Sequence, residues 1–214
     1  DLHVRSRRQR QMCIRDRALS AAGISVDTRP PRLLKEIARQ PIFIAALANS
    51  VVGSVSMMVV MTAAPLAVVA CNHSIDDSAG IMQWHLVGMY APAMFAGALI
   101  QRWGLARVVS LGMVLNVVCS VVAMNSTTLA AFYVALFCLG MGWNFMFVGG
   151  TTLLAQSYRP QERGRAQGAA ELLRNLCTAF ATLAAGPALD YFGWASLNAC
   201  LLYTSDAADD SLRV

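Results

Sequence analysis

The sequence is dominated by apolar blocks that are long enough to cross a lipid bilayer as helices. A helix needs roughly 20 mostly apolar residues to cross a hydrocarbon core of about 30 Å. Only 14% of the residues are charged, against about a quarter in an ordinary soluble domain. Five complete blocks and a shorter sixth follow one another at residues 41–62, 80–100, 106–124, 129–154, 168–189 and 194–203. We therefore predict an all-α polytopic membrane protein with five complete spans and a truncated sixth.

The two ends of the chain differ in composition from these blocks. Residues 1–17 hold six of the seventeen Lys and Arg residues, and residues 203–214 replace an apolar run with acidic residues and serine. Both resemble translated adapter sequence at the edges of reading frames assembled from environmental DNA, and we interpret them as non-native. The alternative for the head is an arm that binds RNA or anionic lipid. Because the net charge of +5 comes mostly from the head, we predict no nucleic-acid partner.

Basic residues lie in alternate connections between the blocks. The other three connections, after the first, third and fifth blocks, contain no basic residue. The basic positions are Arg29, Arg32, Lys35 and Arg39 in the approach segment 18–40, Arg102 and Arg107 after the second block, and Arg159, Arg163 and Arg165 after the fourth. Cytoplasmic loops carry the excess of Lys and Arg. We therefore predict that the residues before Pro41 are cytoplasmic and that the protein lies in a bacterial-type inner membrane.

Polar and small residues recur on one face of the first and fourth spans. In the first span Ser50 lies on a small-residue face, with Asn49 beside it. In the fourth span Trp143 and Asn144 lie at mid-membrane depth, and Asn144 shares a face with Thr151. Such faces either pack closely against another helix or line a cavity. The glycines of the fourth span, at positions 140, 142, 149 and 150, either weaken the helix or permit close approach.

Two titratable side chains lie inside predicted spans. His85 lies roughly 8 Å inside the second span, where it is either a functional group or an interfacial histidine. Glu171 begins a polar stripe of the fifth span that includes Asn175, and Arg174 lies one turn after the acid. Glu171 and Arg174 either pair in a cavity or extend to the nearby membrane surface.

Three short motifs carry a family resemblance. Residues 97–104 (GALIQRWG) are similar to a G-x-x-x-D-[RK]-x-G loop, with Gln101 where the aspartate is expected. Residues 160–168 (PQERGRAQG) are similar to P-x-x-x-R-G-x-x-x-G, and residues 186–194 (GPALDYFGW) resemble the exit from an eleventh span. In these loops and spacings the segment 41–202 resembles the C-terminal half of a major facilitator superfamily transporter, spans seven to twelve, with the last truncated.

The resemblance implies a six-helix half that rocks against a missing N-terminal half around a central site. It implies that the first and fourth spans line the substrate cavity, and that the second and fifth meet the other half, where their polar residues gate or couple protons. The cavity candidates are Asn49, Ser50, Trp143, Asn144 and Thr151. The interface or proton-coupling candidates are His85, Glu171, Arg174 and Asn175. The cytoplasmic gating motifs contain Gly97, Arg102, Gly104, Arg163 and Gly164.

The function expected from this resemblance is secondary active transport of a small organic molecule, coupled to protons. Its partners are then the substrate, protons, the lipid bilayer and the missing half. The apolar and aromatic lining favours a neutral or amphipathic aromatic compound, which leaves both drug-like efflux and uptake of a vitamin such as a flavin open.

Other classes of membrane protein lack their motifs here. An intramembrane protease needs a G-x-S nucleophile within a span and a histidine on a partner span, and an aquaporin-like channel needs N-P-A half-helices; the predicted spans contain neither motif. We therefore predict no enzyme activity. The six cysteines show no metal-ligand spacing, so we predict no metal and no cofactor. A non-transporting scaffold or assembly subunit is the alternative, although it does not account for the loop motifs.

Overall fold

The computed structural model describes residues 30–212, and the side chains of residues 30–202. The helices from Leu33 onward belong to one compact unit, and the described part contains no strand. The helices are α1 (Leu34–Ala38), α2 (Pro41–Ala70), α3 (Ile75–Tyr90), α4 (Ala93–Trp103), α5 (Leu105–Asn125), α6 (Leu129–Ser157) and α7 (Arg163–Leu212). The predicted all-α fold is confirmed.

Four helices of the described chain are long and apolar enough to cross a membrane. They are α2, α5, α6 and the segment Arg163–Leu202 of α7. The 30 residues of α2 correspond to a length of about 45 Å at 1.5 Å per residue. The chain is therefore a multi-pass membrane protein.

The first span is longer than predicted. The predicted end near residue 62 is wrong, because α2 continues through Pro65 to Ala70. Prolines are tolerated inside membrane helices, where neighbouring helices and Ser or Thr side chains satisfy the backbone. The following loop is correspondingly short, because a capping box begins α3: Ser74 accepts from the Asp77 N–H, and the Asp77 carboxylate accepts from the Ser74 N–H, both at 3.0 Å.

The second span is not the single helix predicted over residues 80–100. It consists of α3 and α4, separated by a turn at Ala91 and Pro92. Proline has no N–H to donate and its ring clashes with the carbonyl four residues before it, which explains the interruption. The predicted loop 101–107 is reduced to Gly104, whose φ of 89° lets α4 end and α5 begin within one residue.

The fifth and sixth spans form one long, interrupted helix. Instead of beginning at residue 168, α7 begins at Arg163, and its one non-helical residue is Gly193, with φ 74° and ψ 171°. Beyond Gly193 the Trp194 indole N–H donates to the Ala123 carbonyl at 2.9 Å. Leu197 and Leu201 join the same apolar cluster as Val59. The predicted turn 190–194 is therefore a single glycine that folds the last segment back onto α2 and α5.

The helix α6 lies at the centre of the bundle because its glycines admit the backbones of its neighbours. A Cβ on Gly140 would lie 2.6 Å from the carbonyl oxygen of His85 in α3. One on Gly142 would lie 2.7 Å from the Gly112 oxygen in α5, and one on Gly150 2.5 Å from the Ser50 hydroxyl in α2. Of the two roles expected for these glycines, the structure therefore shows close approach.

Replacing Gly140 by alanine is expected to lower the stability of the chain. The added methyl meets backbone atoms of α3, which cannot rotate away, and overpacking of this kind costs about 1–3 kcal/mol. The matched control is Gly168→Ala, since a Cβ at Gly168 meets no atom within 4 Å. Thermal unfolding in lipid nanodiscs measures both. A melting temperature for Gly140→Ala at or above that of Gly168→Ala would contradict the close packing of α3 on α6.

Candidate functional site

A stacked aromatic pair lies on one side of α6. The rings of Trp143 and Phe147, one turn apart, have centroids 4.9 Å apart and planes inclined by 16°. Both side chains are only partly buried. Thr151 continues the row by a further turn, and its hydroxyl donates to the Phe147 carbonyl at 3.0 Å. The row therefore combines two flat apolar faces with a hydroxyl.

Arg174 of α7 faces this aromatic pair. Its guanidinium carbon lies 5.4 Å from the centre of the Phe147 ring, within range of a cation–π interaction. Its Nη2 donates to the Glu171 carboxylate and approaches the Asn175 Oδ1 at 3.4 Å. Arg174 Nε is buried and has no hydrogen-bond partner among the described residues. The ion pair therefore holds the arginine against the ring and leaves it with unused donor capacity.

A small cleft joins α2 to these two helices. Its volume is about 10 Å³, and it is lined by Ala46, Leu47, Ser50, Thr151, Leu154, Ala170, Glu171 and Arg174. That volume is about the space of a single water molecule. We call Ser50, Trp143, Phe147, Thr151, Glu171 and Arg174 the aromatic–arginine wall. The wall is too open and its cleft too small to enclose an organic molecule, so a binding site needs a second surface opposite.

Of the residues proposed from the sequence, the structure brings Ser50, Thr151, Glu171 and Arg174 together at this cleft. Trp143 adjoins them through Phe147. Phe147 lies between the aromatic and the charged part of the wall. The sequence places it in the expected aromatic lining and on one face with Thr151, although it was not among the cavity candidates.

Asn49 and Asn144 lie in helix contacts and not on the exposed part of the wall. The Asn49 amide donates to the Met146 carbonyl at 2.7 Å and joins α2 to α6. The Asn144 amide donates to the Met89 carbonyl at 2.9 Å and joins α3 to α6. Both side chains are buried. In a membrane a buried amide finds its partners on neighbouring helices, so these two hold the helices that carry the wall.

His85 is enclosed inside this bundle. Because α3 begins at Ile75, His85 lies about 15 Å along its helix, deeper than predicted. The side chain is completely buried, and its Nδ1 lies 2.8 Å from the Leu136 carbonyl oxygen of α6. The described residues contain no group of three or more metal-ligating side chains. The contacts of His85 are therefore those of a residue that joins α3 to α6.

The predicted gating motifs differ in how they are held. Arg102 is exposed, and a Cβ at Gly97 or Gly164 would meet no atom within 4 Å. Arg163 has a hydrogen-bond partner on its own helix, since its Nε donates to the Gln167 Oε1 at 3.2 Å. The Gln167 Nε2 in turn donates to the Tyr158 hydroxyl at 2.6 Å.

A buried acid also stabilises this turn. The Glu162 carboxylate accepts from the backbone N–H of Arg159 at 3.0 Å, and the side chain is only 1% exposed. Glu162 was not among the predicted positions, although its spacing of three residues from Arg159 is that of a side chain closing a turn. The turn that leads into α7 is therefore fixed from inside.

Comparison with known proteins identifies the family. The Major Facilitator Superfamily profile matches residues 42–202. The chain is 41% identical over 167 residues to the riboflavin transporter RfnT of Brucella anthropi, which covers 78% of this chain and 42% of that protein. It is 28% identical over 125 residues to the uncharacterized MFS-type transporter YdeG of Bacillus subtilis, covering 58% of this chain and 29% of that one.

The chain belongs to the Major Facilitator Superfamily. The predicted family is thus confirmed. The chain spans less than half the length of these curated relatives.

Replacing Asn144 by alanine is expected to lower stability, because the Met89 carbonyl loses its donor. Hydrogen bonds between membrane helices contribute on average about 0.6 kcal/mol and at most about 1.7. Asn175→Ala is the matched control, since Asn175 is exposed on α7. Thermal unfolding in nanodiscs compares the two. Equal melting temperatures would show that the Asn144 contact does not support the bundle.

Proposed function

We propose that this chain is the C-terminal half of a secondary active transporter that moves a planar, uncharged aromatic molecule of the flavin class by alternating access. The observation that carries the proposal is the Trp143–Phe147 stack, presented on a wall with an ion pair beside it. The 41% identity to a protein named as a riboflavin transporter supports it.

The chemistry of the wall favours a flat and neutral ligand. Stacking on aromatic side chains depends on ring area and requires no charge on the ligand. The positive charge of Arg174 is paired with Glu171, so the wall carries no net charge. An anionic sugar phosphate would require an uncompensated cation, whereas an uncharged ring needs only the stack and a few hydrogen bonds.

The arrangement of the helices supports the proposed orientation. The start of α2, the end of α6 and the start of α7 meet in one apolar cluster, which contains Phe43, Leu154 and Ala166. The basic residues Arg159, Arg163 and Arg165 lie at the α6–α7 connection. By the positive-inside rule this end faces the cytoplasm of an inner membrane.

Proton coupling through Glu171 is part of the proposal. A coupling group must exchange protons with water in at least one conformation. The Glu171 side chain is 47% exposed, whereas His85 is completely buried. Protonation of Glu171 would release Arg174 from its partner, so one proton would change the charge of the wall beside the bound ring. Glu171 is therefore a better candidate than His85.

A chimaeric transporter tests the function directly. Residues 42–202 of this chain replace the matching segment of the Brucella transporter, and uptake of radiolabelled riboflavin is measured in a bacterium that requires riboflavin. We expect saturable uptake, reduced roughly tenfold by Trp143→Ala through loss of stacking. The matched control is Trp84→Ala, since Trp84 also stacks on a phenylalanine, Phe137, at 5.2 Å, but away from the wall. A chimaera that reaches the membrane and carries no flavin would contradict the proposed substrate, and no flux of any solute would favour the scaffold alternative.

The pH dependence of the chimaera tests proton coupling. Glu171→Gln is expected to abolish pH-dependent accumulation while riboflavin exchange across the membrane at equal pH continues, because exchange needs no net proton movement. His85→Ala is expected to keep the pH dependence. If both variants keep it, coupling through these groups is wrong.

A further inference from the structure

The donor and acceptor groups of the aromatic–arginine wall also indicate which edge of the substrate ring lies beside them. Building on the proposed function, we infer that Arg174 and Glu171 bind an imide edge of the substrate ring, in which an N–H lies between two carbonyls. The Arg174 guanidinium lies over the face of Phe147 on which the substrate ring would stack. Arg174 and Glu171 are thus specificity-determining residues for a pyrimidinedione-type ring and not only a gating pair.

The donor pattern on the wall matches such an edge. A guanidinium has five N–H donors and no acceptor, and a carboxylate has acceptors only. The donors of Arg174 are incompletely used, since Nε is buried with no hydrogen-bond partner in the part of the chain that the structure describes. The Glu171 carboxylate is half-exposed beside it. A donor and an acceptor side by side complement a carbonyl and the adjacent N–H of an imide.

The position of Arg174 explains how the ring would enter. Its guanidinium lies 5.4 Å from the Phe147 centroid, a separation close to the 4.9 Å between Phe147 and Trp143. A planar cation and a planar ring therefore compete for one face of the same stack. Glu171 lies one turn from Arg174 and pairs with it, so a displaced guanidinium stays near the ring edge. The unused Nε then gains an acceptor from the substrate carbonyl.

The consequence is discrimination against rings without the imide N–H. A site built to hydrogen-bond a substrate N–H rejects an analogue that lacks it more strongly than an apolar pocket rejects an analogue that differs by a methyl group. Riboflavin has an imide N–H at N3, and N3-methylriboflavin keeps the same ring system without it. Comparing these two flavins therefore tests the contact at the ring edge separately from the stacking of the ring.

Competition for riboflavin uptake by the chimaera tests this inference. We expect unlabelled N3-methylriboflavin to compete at least tenfold more weakly than unlabelled riboflavin. Glu171→Met removes the acceptor at similar size. It is expected to weaken competition by riboflavin, so that the two flavins then differ by less than about threefold. Arg174→Lys keeps the charge but loses the planar donor pair, so it is expected to weaken riboflavin too. Arg107→Lys, at an exposed arginine outside the wall, is the matched control and is expected to change neither compound.

A second readout measures binding to the chimaera, which supplies the opposing surface. Equilibrium dialysis of the two flavins against the purified chimaera in nanodiscs is expected to give the same order of affinities. Equal competition and equal binding by the two flavins in the unsubstituted proteins would overturn the imide inference and leave flavin transport intact. Absence of flavin binding together with absence of flavin uptake would overturn the proposed function, and this inference with it.

Discussion

The close approach of three helices to α6 is the constraint on which the rest of the structure depends. Gly140 meets the backbone of α3, Gly142 that of α5, and Gly150 the polar side chains of α2. Between membrane helices there is no hydrophobic driving force, so contact area and hydrogen bonds must hold the bundle together. The absent side chains allow that contact, and the Asn49 and Asn144 amides, each bonded to a backbone carbonyl across the contact, fix the helices in register.

This packing also decides which residues remain available for function. With its glycines and Asn144 directed into the bundle, α6 presents Trp143 and Phe147 on the side that faces α7. The outer part of α7 is almost uncovered in comparison, with large apolar side chains exposed at Leu172, Phe180 and Leu183. One side of the bundle is thus tightly packed, and the other presents the aromatic–arginine wall and an exposed apolar surface.

The sequence predicted the class of fold and the family because both depend on long apolar runs and loop motifs. The pairing of Glu171 with Arg174 was also predictable from their spacing along one helix face. The direction of Asn144 was not, because α6 is apolar on all sides and successive residues differ by about 100° around the helix. Asn144 therefore faces α3 although Trp143 beside it faces the wall. Likewise, the interruption at Pro92 lies inside an apolar run, where hydropathy gives no boundary. The turns at Gly104 and Gly193 fall within predicted connections, but the sequence did not show that one glycine would suffice for each.

The proposed transport depends on a planar ring that binds against the Trp143–Phe147 stack. A tryptophan in contact with a flavin quenches its fluorescence by electron transfer within a few ångströms, and phenylalanine does not. The direct measurement is the fluorescence lifetime of riboflavin bound to the chimaera, in the parent protein, in Trp143→Phe and in Trp84→Phe. We expect a short lifetime in the parent and in Trp84→Phe, and a long one in Trp143→Phe with binding retained. A bound flavin whose lifetime is unchanged by Trp143→Phe would contradict binding against this stack.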